Sequence, residues 1–203
     1  MDKTREALHA LGYNTDTAIV RGEEVGVPQT RHRIFMVASL SRQPVISAWV
    51  DRHRIPTPRT FDWAQTGLQR PGGPLDVETG LKLPTAERIA WLFENDEFDL
   101  PNHLRPVCHQ NDHHTYKAVY GRIHGSRPAP TITTGFTVMG QGRFVHPSEP
   151  RTLTPREGAR IQFFPNWFSF GEGPHTTRKE LVSLIGNAVP PKMAYILALE
   201  LIR

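Results

Sequence analysis

The apolar positions of this chain are periodic at its two ends and irregular in the middle. Ala7, Leu8 and Leu11 fall on one helical face, and Gly12 follows as a C-terminal stop. Asn14 to Val20 reads as a short strand. Arg33-Ile34-Phe35-Met36-Val37-Ala38 is an apolar, β-prone run suited to a strand covered on both faces. Between these strands, Val25 to Arg33 forms a turn that carries a glutamine and two arginines. From about Ser41 the pattern lapses. Pro56-Thr57-Pro58-Arg59 and Arg70-Pro71-Gly72-Gly73-Pro74 are turn or linker chemistry. One helix is predicted there, from near Thr85, carrying Ile89, Trp91, Leu92 and Phe93. The last third regains order. Thr154-Pro155-Arg156-Glu157 is a capping box with proline at the first helical position, predicting a helix to about Phe163 that Pro165 stops. Thr177-Arg178-Lys179-Glu180 is a second capping box, and Gly186-Asn187 supplies its stop, with Asn187 as the cap residue. Pro190-Pro191 opens a final helix with Met193, Ile196, Leu197 and Leu201 as its apolar stripe.

Composition narrows the class. The 203 residues are 38% hydrophobic and 22% charged, which suits one globular domain or two small ones. The 18 prolines and 16 glycines gather between Pro44 and Pro150, where loops and short elements are expected. No run approaches the roughly 20 apolar residues of a membrane span, and no apolar run follows Met1 to suggest a signal peptide. The single cysteine, Cys108, excludes an internal disulfide framework and fits a reducing cytoplasm. A net charge of +4 is compatible with a polyanionic partner without requiring one.

Three segments carry chemistry, and they occur in a characteristic order. Pro28-Gln29-Thr30-Arg31-His32-Arg33 contains Q-x-R-x-R. Arg151 to Pro165 contains R-x-L-T-x-R-E-x-A-R-x-Q-x-F-P. Gly186-Asn187-Ala188-Val189-Pro190-Pro191 is G-N-A-V-P-P. With the lead-in Pro128 to Thr134, this series resembles the C-terminal half of the DNA cytosine-5 methyltransferases. The likeness covers both ends of the chain; residues 45 to 120 match only loosely. It implies an α/β fold: the C-terminal part of a Rossmann-like domain, two edge strands plus helices, with a small irregular target-recognition domain inserted. Residues 1–44 would be strands of the catalytic domain, 45–150 the recognition domain, and 151–203 a junction helix and closing helices.

The resemblance also implies the reaction. Such enzymes move a methyl group from S-adenosylmethionine to C5 of a cytosine flipped out of double-stranded DNA, after a cysteine thiolate attacks C6. The family's Gly-rich cofactor loop, Pro-Cys loop and Glu-Asn-Val carboxylate precede the Q-x-R-x-R motif. Only 28 residues precede Gln29 here, and none of these motifs is among them. Cys108 follows Val107, and Glu94-Asn95-Asp96 is out of place. The expectation is therefore a truncated protein or a split-enzyme subunit, inactive alone, whose N-terminal partner brings the missing motifs. A non-catalytic DNA-binding module and an inactive gene fragment are the alternatives.

On this reading Arg33 is the residue near the target base, because a guanidinium fork suits cytosine O2 and charge developing on the ring. Arg31 supports it, or faces phosphate. Two solvated arginines are the structural alternative. Asn187, Ala188 and Val189 would wall the cofactor pocket, and Gln29, Thr133, Thr134 and Gly135 would approach DNA. Arg151, Arg156 and Arg160 more simply brace the domain junction through ion pairs, one with Glu157. His103, His109, His113 and His114 match no tight zinc spacing, so no metal is expected.

Overall fold

The computed structural model describes residues 2–110, 118–171, 173 and 176–202. Helix α1 (Asp2–Ala10) is followed by Gly12, whose left-handed φ of 85° turns the chain. Strand β1 (Asn14–Arg21) comes next, then a one-turn 3-10 helix, Glu23–Val25, and the two-residue strand β2 (Gln29–Thr30). Strand β3 (His32–Ser39) pairs antiparallel with β1, from Asn14 opposite Ser39 to Arg21 opposite His32. Helix α2 (Ile46–Arg52) and helix α7 (Pro191–Leu201) cover one face of this hairpin. Val20, Val37, Ile46, Val50, Met193, Ile196 and Leu197 interlock there, with Ala18 and Phe35 against them. The other face carries Ile19 opposite Ile34, and both stay more than half exposed. The strand expected to be covered on both faces is thus covered on one.

Two of the middle helices had no periodic signal. In α2 only Ile46 and Val50, four residues apart, are buried, with Trp49 partly buried against the same core, too short a stripe to register. Helix α3 (Phe61–Gln65) is one turn, capped by Thr60, whose side chain accepts from the Trp63 amide. Helix α4 (Leu83–Glu94) was legible. Its Ile89 and Leu92 are buried with Leu100, Met139 and Val145.

The chain then returns to its own beginning. Strand β4 (Ala129–Pro130) pairs parallel with β2, Ala129 beside Gln29. Helices α5 (Pro155–Ile161) and α6 (Arg178–Asn187) both open on complete capping boxes, at Thr154/Glu157 and Thr177/Glu180. They share a core with α3 and the 123–144 segment, through residues such as Phe61, Ile132, Phe136, Phe144, Leu153 and Leu181. One helix end and one stripe residue depart from expectation. Helix α5 stops at Ile161, because Phe163 takes a left-handed φ of 72° and turns the backbone before Pro165 is reached. The α7 stripe ends at Leu197; Leu201, in the last turn, is exposed.

A buried ion cluster braces α5 against the middle of the chain. Arg151 grips Glu157 with two hydrogen bonds of 2.9 and 2.7 Å. Arg70 donates to the same carboxylate, and Glu149 pairs with Arg151. Arg156 pairs instead with Asp76 at 2.5 Å, and Arg160 donates to the Ala64 carbonyl. Burial alone would raise the Glu149 and Glu157 carboxyls. The Arg151 guanidinium outweighs it, holding Glu157 below its ordinary value and Glu149 at about 2. Burial pushes His146, beside both, down from its ordinary value.

These shifts set the acid limb of stability. Both carboxylates have depressed folded values, so their contribution is full above the ordinary value of 4.5 and is lost as pH falls toward about 2. Glu149 is the more exposed of the two and contributes less. A depressed His146 adds a penalty in the same direction once pH drops below its ordinary 6.5. The melting temperature is expected to fall steadily from about pH 7 to about pH 3. Glu157→Gln should lower it at neutral pH and flatten the slope below about pH 4.5. Parallel slopes in the two proteins would show that the cluster does not govern acid stability.

Candidate functional site

The three motifs meet at one buried polar knot. Gln29 is fully buried at the β2–β4 bridge. Its amide nitrogen donates to Gln162 Oε1 at 2.7 Å and to the Ile161 carbonyl at 3.2 Å, while its oxygen accepts the Ile132 amide at 3.1 Å. Gln162 in turn donates to the Ile185 carbonyl at 2.7 Å and the Ala188 carbonyl at 3.3 Å. Arg31, 5% exposed, donates to the Ile132 carbonyl at 2.7 Å and the Ala188 carbonyl at 3.2 Å. Among the described residues no carboxylate pairs with Arg31, and its Nε is buried without a partner. Burial, reinforced by the charge of Arg33, pushes the Arg31 guanidinium down to about 10. A cation held by carbonyl dipoles alone ties Q-x-R-x-R to the 128–134 lead-in and to G-N-A-V-P-P. Gln162, from the long motif, closes the ring.

This arrangement sorts the sequence-predicted residues. Gln29, expected at DNA, lies wholly inside, with both amide atoms occupied. Arg31 likewise points inward. Arg33, two residues along β3, is exposed, and among the described residues its guanidinium holds only the His32 carbonyl, at 2.7 Å. Several arginines of the chain's middle and end have carboxylate partners, including Arg70, Arg122, Arg143, Arg151 and Arg156. Thr133 and Thr134 are exposed directly after Ile132, and Gly135 is half-buried. Asn187 and Val189 are exposed on either side of the anchored Ala188. Arg33, the 133–135 turn and the 187–189 turn therefore each sit within three residues of an atom bonded in the knot, and they form a rim around it.

Gly186 explains how the rim closes. A Cβ built there would lie 2.5 Å from the backbone of Thr133 and Thr134. The residue is glycine because two backbones cross at that point. It does not serve as a left-handed helix stop, since α6 runs through it to Asn187 and ends with Ala188 extended, φ −61° and ψ 145°. Asn187 is accordingly the last helical residue, with its amide 3.4 Å from Ser183 Oγ. Sequence reasoning missed Gln162 and Gly186 as members of the site. Both stood in the recognised motifs, but only the crossing backbones reveal their roles.

Other candidates resolve into structure. His103 and His109 lie on short 3-10 turns; His113 and His114 lie outside the described residues. His146, Glu149 and Glu157 are close enough to surround an ion. The carboxylates there are already bonded by Arg151 and Arg70, which would repel one. Cys108 is exposed on the turn Val107–His109. Two clefts, of about 660 and 570 Å³, are lined by α4 with residues 103–110 and by Phe170 with α6; neither includes a rim residue. No single helix among the described residues is long and apolar enough to cross a membrane; α6 and α7 pass that test only as a pair bent by 42°.

The knot joins the same motifs that the sequence had placed in series, and comparison with known proteins agrees. The model of the C-5 cytosine-specific DNA methylases matches residues 1–203, and the chain belongs to that family. It is 44% identical to the type II methyltransferase M1.BsuMI of Bacillus subtilis (strain 168), over 97% of this chain and 45% of that protein. It is 29% identical to the type II methylase M.HgiDII of Herpetosiphon aurantiacus, over 95% of this chain and 56% of the relative. In structure it is similar to the S. pombe Dnmt2 methyltransferase, with a TM-score of 0.62 at 17% identity, covering 98% of this chain and 59% of that one. The fold is a mixed α/β part of such a methyltransferase, and the chain spans about half the length of the curated relatives it matches.

The crossing at Gly186 makes a local prediction. Gly186→Ala should force apart the α6 end and the Thr133–Thr134 backbone, at a cost of about 1–3 kcal/mol. Urea denaturation should report the loss, and amide chemical shifts should change most at residues 132–135. An unchanged midpoint with undisturbed shifts there would show that the two backbones are not in contact.

Proposed function

We propose that this chain supplies the base side and the recognition side of a DNA cytosine-5 methyltransferase, and that a polypeptide carrying the Pro-Cys and Glu-Asn-Val motifs completes it. The observation that carries this reading is Arg33. It is an exposed guanidinium without a carboxylate partner among the described residues, set two positions from the buried Arg31 knot that gathers all three motifs. Position matters because a charged donor helps a reacting base only if it is held where charge develops. Arg31 fixes the strand start, and Arg33 is presented from it.

The remaining roles follow from placement. Thr133, Thr134 and Gly135 are read as the DNA-facing turn, with hydroxyls and a close backbone suited to phosphate or base edges. Gln29 is read as a frame residue instead of a DNA contact, because nothing outside the core can reach its amide. S-adenosylmethionine, the methyl donor, fits the 187–189 turn along one wall only. Asn187 can offer its amide and Val189 an exposed apolar surface, but the Ala188 carbonyl already serves Arg31 and Gln162. The rest of that pocket belongs to the completing polypeptide. Cys108 is not read as the nucleophile: it lies in the middle region, outside every segment that reaches the knot. Likeness to type II methyltransferases supports a restriction–modification setting for this reading.

Methyl transfer from labelled S-adenosylmethionine to duplex DNA tests this directly. The chain alone should transfer nothing, and co-expression with the N-terminal portion of the Bacillus subtilis relative should restore transfer. In that reconstituted enzyme Arg33→Ala should slow turnover by roughly 30- to 1,000-fold, the equivalent of losing about 2–4 kcal/mol of transition-state stabilisation. The salt dependence of DNA binding should stay the same. A uniform loss of affinity with unchanged turnover would make Arg33 a backbone clamp. Turnover by the pure chain would overturn the reading of it as a half enzyme.

A further inference from the structure

Two further arginines, outside the knot and away from Arg33, gather on one aromatic ring. Arg59, just before α3, has its Cζ 4.0 Å from the centre of the Trp63 ring and 5.2 Å from that of Phe163. The two rings are nearly parallel, 7° apart, with centroids separated by 6.1 Å. Arg160, on α5, stands 5.7 Å from the same tryptophan, which is 38% exposed. One nitrogen of each guanidinium is engaged. Arg59 donates to the Gly26 carbonyl at 3.3 Å, and Arg160 to the Ala64 carbonyl at 3.1 Å. Among the described residues neither has a carboxylate partner, and Asp62, the acid beside Trp63, turns its carboxylate against Gly125. No nitrogen of either arginine is buried without a partner, so the remaining N–H groups open to solvent. Burial, and then the charge of Arg160, push the Arg59 guanidinium below its ordinary value.

Contact with a ring occupies the face of a guanidinium and leaves its N–H fork free. Two such forks, fixed in place without a counter-charge, suit an oxyanion with several acceptor oxygens. We propose that Arg59 and Arg160, braced on Trp63, form a clamp for phosphates of the DNA backbone. The proposal rests on the functional reading above, which supplies the DNA, and adds a contact that positions the duplex without reading its sequence. The place of the pair in the fold favours a backbone phosphate over a free one. Gly26, which holds Arg59, belongs to the same connection between β1 and β3 as Gln29 and Arg31. Phe163 directly follows Gln162, and Arg160 precedes Ile161, whose carbonyl takes the Gln29 amide. The clamp is thereby fastened to the frame that presents Arg33. A phosphate seated in it would set the register of the duplex against that guanidinium.

The test measures binding of the full chain to duplex DNA of arbitrary sequence over a series of salt concentrations. Each phosphate contact contributes about 0.9 to the slope of log affinity against log salt. Arg59→Gln and Arg160→Gln, each checked for a cooperative urea transition, should flatten that slope by about 1 and weaken binding roughly five- to tenfold near about 0.1 M salt. Arg59→Lys, which keeps the charge, should keep the slope. Arg52→Gln removes a charge that stands over another tryptophan, Trp49 on α2, and should leave slope and affinity unchanged. If the glutamine variants unfold, the unaltered chain decides. The guanidinium resonances of Arg59 and Arg160 should then shift on adding duplex, at concentrations where inorganic phosphate moves neither. Unchanged slopes in both folded variants would overturn the clamp, as would failure of the full chain to bind duplex at low salt. Resonances that move as readily with inorganic phosphate would assign a small-anion site and overturn the proposed ligand. Variants that weaken association with the N-terminal portion of M1.BsuMI, and not with DNA, would assign a protein contact and overturn it too. The methyl-transfer assay is read separately. Transfer by the reconstituted enzyme with unchanged slopes overturns only the clamp, and flattened slopes without transfer overturn only the half-enzyme reading.

Discussion

Everything around the candidate site depends on burying one guanidinium that, among the described residues, meets carbonyls and no carboxylate. Arg31 is held by the carbonyls of Ile132 and Ala188, and removing either acceptor would strand a charge in the core. The Gln29–Gln162 pair supports it by satisfying the same strands of backbone from the other direction. Leaving a single buried donor or acceptor unpaired typically costs about 1–3 kcal/mol, and here one change leaves several unpaired at once. The arrangement therefore has few tolerable alternatives. It fixes where β2 meets β4, where α6 ends, and where Arg33 emerges.

Much of this was legible in the sequence, for identifiable reasons. The two capping boxes fixed the starts of α5 and α6 because a Ser/Thr-x-x-Glu signature needs no tertiary partner to form. The hairpin strands and α4 announced themselves by periodicity. The end of α5 was set about two residues late, since Phe163 is turned by a left-handed backbone that no local rule anticipates, and Leu201, counted in the α7 stripe, is exposed. Helices α2 and α3 were invisible because they are short and take their stability from neighbours distant in sequence.

The site was legible as a set of motifs and illegible as a geometry. Motif order brought Arg31, Arg33 and Asn187 into consideration together. It could not say that Arg31 faces in and Arg33 out: residues two apart in a continuous strand share a face, and the two part only because Arg31 lies in the break between β2 and β3. Gly186 was misread for a related reason: a glycine needed for a backbone crossing and one needed for a left-handed turn are identical in sequence, and only φ and the neighbouring backbone separate them.

The β2–β4 bridge has a consequence for how the middle of the molecule can vary. Hydrogen bonds spanning 101 and 103 residues, from Thr131 to Thr30 and from Ile132 to Gln29, tie the neck of a long excursion shut. Once a neck is fastened, the entropy of closing the loop behind it grows only logarithmically, so doubling its length costs only about 0.6 kcal/mol. Most of the excursion, from α3 through α4 to the approach of Ala129, makes none of the bonds in the Arg31 knot. Its α3 and 70–76 portions pack into the core and ion cluster that brace α5. Helix α4 and Leu100 instead bury against a separate cluster with Met139 and Val145, so the α4 portion is the part least coupled to the frame that presents Arg33. The topology thus describes a frame fastened at its neck, with an excursion whose outer part can vary in length while the neck stays in register.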